Sequence, residues 1–204
     1  MTPIRSAAVF CGSRVGADPA YAEAAAELGR GLAAAGITLV YGGGRIGLMG
    51  VTADAVLAAG GQVHGVIPDF LQRREVAHVG VARMEFTPSM HTRKARMFEL
   101  ADAFVVMPGG LGTFDEMIEV VTWRQLGLHN KPILVCDVAG WARPLLGAVE
   151  AAVRDGFADR SALALYETVP DVPALLSRLN APEMAAPDSL PEAAATAIRR
   201  GSGV

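Results

Sequence analysis

The sequence predicts an α/β fold of the doubly wound kind, a mainly parallel sheet with helices on both faces. Three observations carry this expectation. Short apolar runs alternate with helical segments from the first residues on. The repeated strand–helix unit spans about 25 to 30 residues, the spacing of a parallel sheet with crossover helices. Glycine clusters fall at the ends of the apolar runs, where such sheets bind their ligands.

The elements follow in order. Ala7-Ala8-Val9-Phe10 is a buried strand running into the turn Cys11-Gly12-Ser13. Pro19 to Ala35 is an Ala-rich helix, with Pro at its start and Gly36 at its end, the usual asymmetry of helix termini. Ile37 to Tyr41 is a strand followed by Gly42-Gly43-Gly44, and Leu48 to Ala59 a helix closed by Gly60-Gly61. Gln62 to Ile67 is a third strand, stopped by Pro68. Asp69 to Gly80 is polar and irregular, and Ala82 to Phe86 forms a fourth strand. Ser89 caps a helix that runs to Ala101, since its hydroxyl can take a free amide of the first turn. The strand Phe104 to Met107 enters Pro108-Gly109-Gly110, and a long helix covers Phe114 to Leu128. After Lys131-Pro132 come the strand Ile133 to Cys136, a helix from about Trp141 to Asp155, a weak strand from Leu163 to Thr168 and a short helix from Asp171 to Leu179. Residues 1–180 are thus expected to form one domain. The Ala-, Pro- and Glu-rich segment 181–204 is expected to be a loose tail.

Composition narrows the function classes. With 51% hydrophobic and 19% charged residues, the chain is a well-buried globular protein and not a disordered one. A net charge of −3 lacks the basic excess of a nucleic-acid binder. The two cysteines, Cys11 and Cys136, are too few for a disulfide scaffold. Neither has a local base partner, so both are expected to be reduced, packed thiols. The sequence shows no signal-peptide pattern and no apolar run of the ~18 residues that span a bilayer. Together these features point to the cytoplasm and away from a membrane.

Two loops carry the chemistry. Gly42-Gly43-Gly44-Arg45-Ile46-Gly47-Leu48-Met49-Gly50 and Pro108-Gly109-Gly110-Leu111-Gly112-Thr113 each join a strand to a helix. Glycine lets backbone amides approach a ligand closely, and a helix start adds unpaired donors and partial positive charge. Both loops are therefore candidate anion sites of the kind that hold phosphate, with Gly43 and Gly44 in the first. Gly42, Gly44 and Gly47 also match G-x-G-x-x-G, but they follow the second strand, and the next strand ends in Pro68 without the acidic ribose clamp of a dinucleotide site.

Two charged positions stand out. Thr113-Phe114-Asp115-Glu116 has the form of a capping box, which would turn Glu116 back onto the helix start. Alternatively, Glu116 faces the ligand that the helix entrance binds. On the helix after Ser89, Arg93 falls on the arc of Met90, Met97, Leu100 and Ala101, with Lys94 at its shoulder. Cations on a buried arc snorkel to solvent, or pair with a carboxylate or an anionic ligand. His91 and His129 are candidate bases. His64 and His78 are expected to be structural or solvated, and no His/Asp/Glu spacing suggests a metal site.

Taken together, these motifs resemble the Lonely Guy family of cytokinin riboside 5′-monophosphate phosphoribohydrolases, whose members have often carried the label lysine decarboxylase. The match comprises Pro108-Gly109-Gly110-Leu111-Gly112-Thr113-Phe114-Asp115-Glu116, Met90-His91-Thr92-Arg93-Lys94, Phe10-Cys11-Gly12-Ser13, Tyr41 through Gly50, and Thr122-Trp123-Arg124-Gln125-Leu126-Gly127, in order, between Ala7 and Gly156. The resemblance implies a Rossmann-like fold, a homodimer at minimum, and no metal or redox cofactor. It implies a catalytic pair at Arg93 and Glu116. Nucleotide contacts are implied at Glu75, Arg93 and Lys94, along Gly109, Gly110, Leu111, Gly112, Thr113, Phe114, Asp115 and Glu116, and at Thr122. The chain departs from the family pattern at Cys136-Asp137 and in keeping only Gly140-Trp141 of an aromatic cluster.

The implied activity is hydrolysis of the N-glycosidic bond of an adenosine 5′-monophosphate, N6-prenylated or plain. Two other functions fit parts of the pattern. A nucleotide or molybdenum-cofactor carrier needs the glycines but not the Arg93–Glu116 pair. A nicotinamide-dependent oxidoreductase needs a ribose clamp that the sequence does not place.

Overall fold

The computed structural model describes residues 3–72 and 77–181. Seven strands form one sheet in the order β4-β3-β2-β1-β5-β6-β7, and every neighbouring pair is parallel. The strands are β1 (Ser6–Phe10), β2 (Thr38–Tyr41), β3 (Val63–Pro68), β4 (Arg83–Thr87), β5 (Ala103–Val106), β6 (Ile133–Cys136) and β7 (Glu167–Val169). The helices are α1 (Pro19–Ala34), α2 (Gly47–Ala58), the single turn α3 (Asp69–Gln72), α4 (Met90–Leu100), α5 (Leu111–Gln125), α6 (Arg143–Arg154) and α7 (Val172–Leu179). This is the expected doubly wound fold. Among the described residues no helix is long and apolar enough to cross a membrane.

Alternation along the central strands builds the two halves of the core. Successive side chains of a strand point to opposite faces. Ala7 and Val9 of β1 therefore join Leu28 and Leu32 of α1, Val56 of α2 and Leu175 of α7. Ala8 and Phe10 point the other way, to Met97 of α4 and Met117 and Val120 of α5. Both faces being covered, β1 and β5 carry continuous apolar runs, as parallel strands do.

The chain winds outward from β1 to the β4 edge, then returns through α4 to pair β5 with the other side of β1, Val9 opposite Val105 and Phe10 opposite Val106. The winding direction thus reverses between β1 and β5. The loops leaving these two strands separate there and leave a crevice. Gly12 spans its floor: its N–H donates to Pro108 O at 2.9 Å, and its carbonyl accepts Leu48 N at 2.9 Å.

Several boundaries differ from the sequence expectation, among them the end of α5 at Gln125 rather than Leu128 and the inclusion of Pro68 in β3. α5 begins at Leu111 rather than Phe114, with Gly110 as its N-cap. The helix after β6 begins at Arg143 rather than Trp141, because a 3-10 turn over Val138–Gly140 precedes it, with Ala139 at φ 51° and Gly140 at φ 77°. The segment expected as a strand from Leu163 to Thr168 is mostly a 3-10 turn, Arg160–Ala164, which leaves β7 only three residues. Of the expected tail, 181–204, residues 182–204 lie outside the described residues.

α1 and α2 touch through glycine. A Cβ added to Gly29 would lie 2.6 Å from Thr52 O and 2.7 Å from the Ala55 Cβ. Gly29→Val is expected to lower unfolding stability by about 1–3 kcal/mol, the usual cost of overpacking. An unchanged urea midpoint would show that the two helices do not meet at this spacing.

Candidate active site

A cavity of about 400 Å³ opens at the crevice, lined by Cys11, Gly12 and Ser13 after β1, Gly42 and Gly44 after β2, Ile67 of β3, Arg93 of α4, and Gly110 through Thr113 with Glu116 of α5. Ile46, Met49, Leu71 and Met90 complete an apolar side.

Arg93 reaches this place because the chain leaves it one route. Ser89 caps α4, accepting from Thr92 N at 3.1 Å, and so fixes the helix phase. Arg93 then shares a stripe with Met97 one turn on, and these two are the buried residues of α4. Its guanidinium passes Gly42, where any side chain would overlap it. Nη1 meets Glu116 Oε1 at 2.6 Å, and Nε approaches Val66 O at 3.4 Å. Arg93 and Glu116 are only 8% and 7% exposed.

The early start of α5 decides how Glu116 is used. With Gly110 as N-cap, Thr113 is already inside the helix, and no side chain caps it. The capping-box expectation is therefore corrected: one turn of shift takes Thr113 out of the cap, and Glu116 pairs with Arg93. Burial pushes the Glu116 carboxyl above its ordinary value, and the Arg93 guanidinium works against that rise. Lys94 does not snorkel either. It meets Asp115 Oδ2 at 3.1 Å and Glu119 Oε1 at 3.0 Å, which ties α4 to α5 a second time.

The two glycine loops are not equivalent. Gly12 O already accepts both Leu48 N and Met49 N, at 2.9 and 3.4 Å, so the first loop spends its helix-start donors inside the protein. At the second loop a Cβ on Gly110 or Gly112 would meet nothing within 4 Å, and Gly110 has φ −110°, which any residue adopts. Neither packing nor backbone conformation asks for glycine there. The space in front of both glycines is open. α5 points its free amides into that space.

Of the residues singled out in the sequence, Arg93, Glu116, Gly44, Gly110, Leu111, Gly112 and Thr113 line the cavity. Gly43 lies behind the wall, its carbonyl taken by His78 N at 2.9 Å. Gly109 faces a neighbouring hollow. Phe114 packs on Trp141, Asp115 is spent on Lys94, and Thr122 is exposed further along α5. Glu75 lies outside the described residues. Cys11, Gly12, Ser13, Gly42, Ile46, Met49, Ile67, Leu71 and Met90 also line the cavity, and the sequence does not mark them as site residues. Their only signal in the sequence is position, at or just after strand ends or at the start of α2 or α4.

The remaining candidates are structural. His129 Nε2 donates to Val120 O at 2.9 Å while Nδ1 accepts Lys131 N at 3.1 Å, and burial lowers its pKa. His64 is buried beside Glu85, at 2.7 Å, and His78 bonds Asp54 at 3.0 Å. His91 is exposed. Cys11 touches the cavity, but burial and the Glu116 charge raise its thiol far from reactivity. Burial pushes Cys136 up to about 12. Among the described residues no group of three or more His, Cys, Asp and Glu could hold a metal.

Fold and site together define a Rossmann-like α/β protein whose switch-point crevice pairs a buried carboxylate with a helix start open to an anion. Residues 49–179 match the family model described as possible lysine decarboxylase. The cytokinin riboside 5′-monophosphate phosphoribohydrolase LOG of Oryza sativa subsp. japonica is 44% identical over 86% of this chain and 72% of its own length. LOG1 of Arabidopsis thaliana, of the same description, is 43% identical over 84% of this chain and 80% of its own. The chain belongs to this family of LOG-type proteins. The fold is shared more widely. The molybdenum cofactor binding protein of Rippkaea orientalis superposes with a TM-score of 0.65 at 19% identity, over 87% of this chain and 94% of that one. A Moco carrier protein from Chlamydomonas reinhardtii also gives 0.65 at 19%, over 88% and 96%.

Removing the guanidinium leaves a buried charge alone, which costs about 3–5 kcal/mol. Arg93→Met is expected to lose about that much stability near neutral pH, and Arg93→Met with Glu116→Gln to regain most of it. Carbon-13 titration of Glu116 is expected to show its pKa above 4.5, and higher still in Arg93→Met. A pKa at or below 4.5 would contradict the electrostatic account.

Proposed function

We propose that this chain hydrolyses the N-glycosidic bond of a nucleoside 5′-monophosphate, an N6-prenylated or plain adenosine 5′-monophosphate, to the free base and ribose 5-phosphate. The observation that carries the proposal is the Arg93–Glu116 pair, at 2.6 Å, in the same cavity as the open start of α5. Membership of a family whose curated members are named for this reaction supports it.

The chemistry follows from the placement. As C1′–N9 breaks, its electron pair leaves with the base and positive charge develops on the ribose. The Glu116 carboxylate stabilises that charge and orients the water whose oxygen bonds C1′. One proton of that water ends on the base. Arg93 is a poor proton donor, since a guanidinium holds its protons tightly. Its role is to keep Glu116 ionised and aimed. The amides of Gly110, Gly112 and Thr113 hold the phosphate, and that remote binding energy positions the sugar. Gly44 and Leu111 border the ligand. Lys94 and Asp115 act by holding α4 against α5. Ile46, Met49, Leu71 and Met90 offer the base an apolar wall, which suits a prenyl substituent. A carrier without turnover would have no use for the buried pair.

We further propose that residues 1–180 act as one domain in a cytoplasmic homodimer. Leu111 at 85% exposed and Ile118, Leu126 and Leu128 leave apolar surface along and just beyond α5 for a second copy to cover.

Chromatography of free base is the direct test. Wild type is expected to release base from AMP or isopentenyladenosine monophosphate, and Glu116→Gln to be slower by about 10²–10³-fold, the usual loss for one preorganised electrostatic group. Adenosine should react roughly 100-fold less efficiently than AMP, since at least two charged hydrogen bonds are absent. Because the Glu116 pKa is raised, protonation overtakes it at a higher pH than an ordinary carboxylate. The acid limb of kcat/KM should accordingly lie above pH 4.5. Equal turnover of AMP and adenosine would remove the phosphate assignment, and nucleotide binding without base release would remove the hydrolysis.

A further inference from the structure

Trp141 stands outside the cavity that holds Arg93 and Glu116, yet it grips the loop that forms one wall. Its indole Nε1–H donates to Gly109 O at 2.9 Å, and its ring leans on Phe114 with centroids 5.8 Å apart. The indole is itself held in place. The 3-10 turn before it has Ala139 and Gly140 in the left-handed region, and Asp137 Oδ1 accepts Ala142 N at 2.8 Å. The turn therefore delivers Trp141 to the glycine loop instead of letting α6 begin there.

The consequence lies in the peptide that Trp141 touches. A trans peptide carries its C=O and the following N–H on opposite sides of one plane. With the Gly109 carbonyl pinned toward Trp141, the Gly110 N–H must point away from it. The preceding peptide is held in the same manner, because Pro108 O accepts Gly12 N at 2.9 Å. Among the described residues no acceptor meets the Gly110 N–H. Gly110 borders both the cavity of the ion pair and a second hollow, of about 570 Å³, that Trp141 lines.

We propose that Trp141 is a positioning residue for the reaction: its indole N–H locks the Gly109–Gly110 peptide so that the Gly110 N–H faces the phosphate at the start of α5. The inference rests on the phosphate reading given above. Gly109 and Gly110 have no side chains to restrict rotation of the peptide between them, so the orientation of this donor depends on the outside bond. A donor fixed beforehand costs no reorganisation when the anion arrives. Trp141 touches neither base nor sugar in this arrangement. Its loss should weaken phosphate-bearing ligands and spare the bond-breaking step.

The test replaces the indole N–H and keeps the ring. 3-Benzothienylalanine installed at position 141 has a sulfur where Trp141 has its N–H, with nearly the same shape. Trp141→Phe serves as a second variant. Calorimetry with ribose 5-phosphate is expected to give a Kd about tenfold higher in the isostere, the scale of one hydrogen bond to a charged group. KM for AMP should rise in parallel, with kcat within twofold and adenosine turnover unchanged. An unchanged Kd would overturn the lock, as would equal weakening of adenosine and AMP, which is the mark of a general packing role. Failure of wild type to bind ribose 5-phosphate would overturn it too. If wild type binds ribose 5-phosphate, the isostere weakens that binding, and no nucleotide releases base, then the lock stands and the hydrolysis reading alone falls.

Discussion

The architecture of the site depends on the backbone of one residue, Gly12. Its N–H ties the loop after β1 to the loop after β5 through Pro108 O, and its carbonyl accepts the first amides of α2. A Cβ at this position would lie 2.9 Å from Arg14 O and 3.3 Å from the Gly109 Cα. Three chain segments thus converge where only a glycine fits. Parallel strands with opposite winding directions open a crevice between their loops. Gly12 sets how wide that crevice is, and so where the start of α5 stands relative to the end of β1.

Around this frame the protein places a charge pair in a setting that neither partner would tolerate alone. A buried carboxylate without a counter-charge would take up a proton, and a buried guanidinium would be driven toward solvent. Together they persist, because Nη1 of Arg93 meets Glu116 directly and a strand carbonyl takes part of the remaining donor capacity. Such a pair is weak evidence for stability. An ionised carboxylate fixed at the edge of a cavity, with little water around it, acts on nearby positive charge more strongly than a solvated one. The outer contacts of Lys94 with Asp115 and Glu119 brace the same two helices one residue further out.

The glycines of the second loop divide by role. Gly109 is enclosed, with Thr113, Gly12 and the indole of Trp141 around it. Gly110 and Gly112 face open space. One glycine serves the packing of the loop, and two keep the helix start accessible. The first loop, which looks equally phosphate-like in sequence, turns its helix-start donors onto Gly12 instead. Two glycine-rich strand ends therefore produce one structural joint and one open helix start. What separates them is which strand each loop leaves and how near the switch point it lies.

The sequence alone determined the alternation of strands and helices, the sidedness of the sheet, the cap at Ser89 and the family-wide motif. These are encoded locally, in apolar periodicity, turn residues and short-range capping. It could also place Arg93 on the buried arc of its helix. It could not choose between a capping and a ligand-facing Glu116, because that choice turned on a one-turn shift in the start of α5 and on a partner 23 positions away. Nor could it separate the two glycine loops, bring Ile46, Leu71 and Met90 to one wall, or show Trp141 reaching Gly109 across 32 positions. Those facts arise only when crossovers carry distant segments to neighbouring strand ends. Local patterning fixes each element, but the distances between elements belong to the packed sheet.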